Sequence, residues 1–117
     1  MLLNDQVADW SVTEAKVSEA VSRLIETARP RKLYLFGSYA RNETGPDSDL
    51  DILVVASDDV TDPRKEGVRL RHLLRGIHMP MDIVVVPESD FEAHRETPGM
   101  IYREVAETGR LVYDNAR

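Results

Sequence analysis

Cysteine is absent from the 117 residues. Disulfides and zinc–thiolate sites are therefore excluded, and a cytoplasmic address is expected. Basic residues are outnumbered, 15 Lys and Arg against 21 Asp and Glu, for a formal charge of −6. A chain that gripped DNA or RNA by neutralising phosphates would carry a basic surplus, so no direct nucleic-acid binding is expected. A nucleotide is not excluded, because metal ions can supply the positive charge. No apolar run approaches the ~18 residues that span a bilayer, so no membrane partner is expected. The opening MLLNDQVADW lacks a basic stretch followed by an apolar one, and is not expected to be a signal peptide. Repeats, low-complexity tracts and long linkers are missing too. The length suits one domain, expected over residues 1–117.

What is present reads as alternating helices and strands. Ser11 and Glu14 form a capping box, and Val17, Val21, Leu24, Ile25 and Ala28 recur at helical spacing, so residues 12–28 predict an amphipathic helix that Pro30 ends. Residues 32–37 and 49–56 predict two strands, with Gly45-Pro46-Asp47 marking the loop between them. Asp62-Pro63 predicts a helix start, and Val68, Leu70, Leu73, Leu74 and Ile77 carry its apolar face to about Ile77. Residues 81–86, MDIVVV, predict a third strand. Ser89 and Glu92 suggest a short capped helix near Phe91. Thr97-Pro98 opens a last helix that Gly109 ends, and Leu111-Val112-Tyr113 closes the chain as a short strand. Such alternation implies an α/β or α+β fold, with helices covering the sheet.

The chemistry is concentrated between the first two strands. The apolar run Leu33–Phe36 stops at Gly37-Ser38, ten residues follow, and Asp49-Leu50-Asp51 opens the next apolar run. Strand residues alternate in direction, so Asp49 and Asp51 project to one side. Two hard oxygen ligands beside a glycine turn with free N–H groups suit a Mg²⁺-bound nucleotide. Asp82, near the start of the third strand, joins them if the second and third strands are neighbours. Charged groups on apolar strands are costly unless paired or metal-bound. Three carboxylates at one point suit two Mg²⁺ ions and in-line attack of a hydroxyl on the α-phosphate of a nucleoside triphosphate, with Asp82 also placed to accept the hydroxyl proton. Gly37 lets the backbone approach the phosphates and Ser38 adds a hydroxyl. Arg41, one turn on, offers a fork-shaped donor to a phosphate oxygen.

The pattern GS-x10-DxD, followed by a carboxylate on the next long strand, resembles the DNA polymerase β-like nucleotidyltransferase superfamily. FGSYARNETGPDSDLDILVV and the closing VAETGRLVYD are similar to its minimal branch, the MNT proteins, over roughly residues 30–113. The resemblance implies a small mixed sheet flanked by helices. It implies triphosphate contacts at Gly37 and Ser38, metal binding at Asp49 and Asp51, and Asp82 as third carboxylate. ATP is the implied co-substrate. Many minimal members are antitoxins that transfer AMP to a tyrosine of a HEPN RNase toxin and bind it tightly, so a HEPN-domain partner is expected. The shortness of the chain agrees: little remains beyond a catalytic core to build an acceptor pocket. Two alternatives stand beside this reading: an aminoglycoside-like small-molecule transferase, and a non-catalytic binding antitoxin. The family often has glycine after the Ala-Arg pair where this chain has Asn42, a residue type that tolerates left-handed backbone.

The remaining polar residues have plainer readings. His72, His78 and His94 lack ligand spacing and read as surface or packing residues. Ser57-Asp58-Asp59 reads as a solvated strand end. Arg64, Lys65, Arg69, Arg71 and Arg75 read as the solvated side of a helix, with an acidic partner or the nucleotide as the alternative contact.

Overall fold

The computed structural model describes residues 11–43 and 49–115. The signal-peptide question and the Gly45-Pro46-Asp47 loop lie outside the described residues. Among the described residues four strands and four helices follow one another: α1 (Glu14–Ala28), β1 (Lys32–Phe36), β2 (Leu50–Ala56), α2 (Pro63–Leu73), β3 (Met81–Pro87), α3 (Glu88–His94), α4 (Ile101–Thr108) and β4 (Arg110–Asp114). The sheet order is β3-β2-β1-β4. β1 pairs antiparallel with both β2 and β4, while β2 and β3 are parallel, with α2 as the crossover that parallel pairing requires. This is the expected mixed sheet flanked by helices.

Strand alternation sorts the core into two layers. Leu50, Ile52 and Val54 of β2 face α1 and α2, packing with Ala20, Leu24, Leu70 and Leu74. Leu53 and Val55 face the other way, onto Phe91 of α3 and Val105 of α4. Both faces are covered, which is why β2 is apolar almost throughout and shows no polar alternation. Asp51 is the exception, and its direction follows from that alternation: it lies on the side of Leu53 and Val55.

Several boundaries differ from the sequence reading. Thr13, not Ser11, caps α1: its Oγ1 accepts the Lys16 N–H at 3.2 Å, the reach of a residue directly before the first helical turn. Asp62 caps α2 as expected, accepting the Lys65 N–H at 3.1 Å. That helix stops at Leu73, short of Ile77. The chain tightens into three-residue turns, His72 to Arg75 and Leu74 to Ile77, and Gly76 turns left-handed at φ +97°. Val68 is 47% exposed, because it lies about 200° around the helix from Leu70. Ser89 does not cap α3 by its side chain. Its N–H donates instead to Asp58 Oδ1 at 3.1 Å, so a residue read as a solvated strand end caps the helix from another loop. α4 begins at Ile101 instead of at Thr97-Pro98, since Gly99 takes φ +83° and residues 97–100 form a turn. Gly109 does end α4. A Cβ there would lie 2.5 Å from the Val105 carbonyl oxygen of the helix's own last turn and 3.2 Å from that of Leu35 in β1, so the exit from α4 leaves no room for a side chain.

Candidate active site

Antiparallel pairing brings the end of β1 beside the start of β2, with Phe36 opposite Asp51. Parallel pairing then sets Asp51 directly opposite Asp82. The sheet therefore lines up, at one end, the residues that the sequence separates. Asp49 immediately precedes β2, where the Leu50 N–H is fixed to the Pro80 carbonyl oxygen at 3.0 Å. Strand alternation keeps Asp49 on the Asp51 side. Asp49 and Asp82 are exposed and Asp51 is half-buried.

Gly37 stands at φ +80°, and a Cβ on it would collide with Asp51 Oδ2. The backbone of the turn is thus pressed against a carboxylate that only a glycine can approach so closely. From Ser38 the chain makes one turn and leaves it in a Schellman motif: the Glu43 N–H donates to the Ser38 carbonyl at 2.9 Å and the Asn42 N–H to that of Tyr39 at 3.0 Å. The left-handed position of that motif is Asn42, at φ +61°. Asparagine is a side chain able to occupy this backbone region, so the turn forms without a glycine.

Burial raises the Asp51 carboxyl pKa above its ordinary value, and the charges of Asp82 and Asp49 raise it further. Arg41 opposes this and Glu104 adds to it. Arg41 stands at the rim, its guanidinium 3.2 Å from Glu43 and 3.9 Å from Glu104. A triphosphate would compete with these glutamates for it. Asp82 is held by Arg71 of α2, whose Nη2 donates to Asp82 Oδ1 at 2.9 Å and to the Ile83 carbonyl oxygen at 3.1 Å.

Glu104 and Arg71 are additions to the set read from sequence. No local pattern marks Glu104, which arrives because α4 packs on β1. Arg71 carried only the signal of a basic residue on the polar face of a helix. His72, His78 and His94 supply no metal cluster among the described residues. A groove of about 620 Å³ runs between α2 and β3: Arg71, Leu74, Ile77 and Ile83 line it, and none of the three aspartates does.

The donor set is all oxygen and negatively charged, the chemistry of a Mg²⁺ site. Among the described residues no three such groups already converge on one point. Asp82 is drawn toward Arg71, while Asp49 and Asp51 remain beside the glycine turn.

Residues 14–112 match the nucleotidyltransferase domain family model. The chain belongs to that family, and nucleotidyl transfer is its class of chemistry. The fold is similar to the crystal structure of a "putative nucleotidyltransferase" from Sulfolobus solfataricus, with a TM-score of 0.59 and 19% identity over 86% of this chain and 79% of that one. No curated protein matches significantly.

Proposed function

We propose that this chain transfers AMP from ATP to a tyrosine hydroxyl of a HEPN-type RNase toxin and serves as its antitoxin. The observation that carries the chemistry is the register of β2 and β3, which sets Asp51 opposite Asp82 beside Gly37. The acceptor oxygen forms a bond to the α-phosphorus. The bond from that phosphorus to the bridging oxygen breaks, and pyrophosphate leaves. Asp82, exposed and nearest the edge of the sheet, takes the hydroxyl proton. Gly37 and Ser38 offer backbone N–H groups and a hydroxyl to the phosphates, and Arg41 leaves its glutamates to fork onto a phosphate oxygen. Asp49 and Asp51, with Asp82, are the residues that would hold Mg²⁺. Such ions neutralise phosphate charge and sharpen the attacking hydroxyl when bound. The Asp82 side chain is 59% exposed, which favours an acceptor that brings its own surface, as a partner protein does.

Incubation with Mg²⁺, ATP and the protein encoded beside this one should add the mass of AMP to that partner, and Asp49→Asn and Asp51→Asn should each reduce the rate at least a hundredfold. Full neutralisation of the partner by the double asparagine variant, with no mass shift from the natural chain, would leave a binding antitoxin. Transfer to a small amine-rich alcohol alone would select the small-molecule reading.

A further inference from the structure

β3 is an edge strand of the sheet, and α2 lies on the face opposite the aspartates. Arg71 nonetheless reaches Asp82. Its side chain passes around the edge of β3, donating to the Ile83 carbonyl oxygen at 3.1 Å and to Asp82 Oδ1 at 2.9 Å. Asp82 Oδ1 also accepts the Ile83 N–H at 3.0 Å. One oxygen of this carboxylate is therefore engaged twice, and both contacts draw it along its own strand. Neither draws it across to Asp51, its partner in the ladder.

We propose that Arg71 is a positioning residue that clasps Asp82 and competes with the divalent cation for it. The clasp solves a problem the register creates. Asp51 and Asp82 sit side by side with like charge, and a guanidinium on Asp82 offsets that repulsion while the cation is away. When a cation draws Asp82 in, the clasp opens. Arg71 already lines the groove between α2 and β3, so its guanidinium has a solvated place to rest. Cation binding and the Arg71–Asp82 pair are then alternatives for the same oxygen. This inference rests on the metal-assisted reading above.

The test is calorimetric titration of the protein with Mn²⁺ alone, without ATP. Arg71→Met should bind Mn²⁺ about two- to fivefold tighter than the natural chain, the order expected from deleting one exposed ion pair. Arg71→Lys keeps the charge and a donor, and should restore most of the natural affinity. Arg75→Met removes a neighbouring positive charge whose guanidinium rests on His72, and should change affinity less than twofold. Equal or weaker Mn²⁺ binding by Arg71→Met, with measurable binding by the natural chain, overturns the clasp and leaves the transfer chemistry standing. An equal gain in Arg75→Met also overturns it, since general charge would then explain the effect. No binding by any of the variants or by the natural chain overturns the clasp and the metal-assisted reading together.

Discussion

Gly37 and Asp51 share one small volume, and each limits the other. Gly37→Ala places a Cβ against Asp51 Oδ2 at a φ of +80°. The left-handed backbone alone costs about 1–2 kcal/mol, so urea unfolding should show at least that loss. Asp51 is itself a source of instability. Its carboxyl titrates above the ordinary 3.8, chiefly through burial and then through Asp82 and Asp49. A raised acid pKa means the folded chain holds the proton more tightly than the unfolded chain. Stability is then fully present below 3.8 and is lost as pH rises through the raised folded value. Asp51→Asn should therefore melt above the natural chain at neutral pH. Melting at a pH well below 3.8 should erase the difference. At this scale the sequence was most informative where spacing alone decides direction. Asp49 and Asp51 lie two residues apart on a strand, so a shared side was legible. Arg71 and Glu104 reach the site through tertiary packing, which no spacing encodes.

Elements were legible in type and less so at their ends. The apolar runs of β1, β2 and β3 and the helical spacing of α1 needed no tertiary help. Ends were misread where a cap comes from afar or a glycine unwinds the chain. α3 shows the first case: its cap, Asp58, stands 31 residues before Ser89. Asp58→Ala should cost about 0.5–1 kcal/mol, read as a lower urea midpoint with an unchanged slope. α2 shows the second, ending near Leu73 although Ile77 and Met79 still reach the core beyond Gly76.

The whole molecule is one sheet between two apolar layers. Ile52 belongs to the layer under α1 and α2, and Phe91 to the layer under α3 and α4. Ile52→Val and Phe91→Leu should each cost about 1 kcal/mol, and the double variant should equal their sum within about 0.5 kcal/mol by denaturant unfolding. Coupling beyond that would mean the layers communicate through the strands. The order of the sheet was not legible, because only the pairing of β2 with β3 was anticipated and the central place of β1 depends on where β4 returns. No helix among the described residues is long and apolar enough to cross a membrane.

The direct pairing of Asp51 with Asp82 also bears on the order of folding. β1 and β2 are joined through a short stretch of chain, but β2 meets β3 only after α2 has carried the chain back along the sheet. Contacts distant in sequence form late, because loop closure must precede them. By the same rule the pairing of β1 with β4, which joins Tyr34 to Leu111, closes later still. The two aspartates are thus brought together, against their own repulsion, before the last strand completes the sheet.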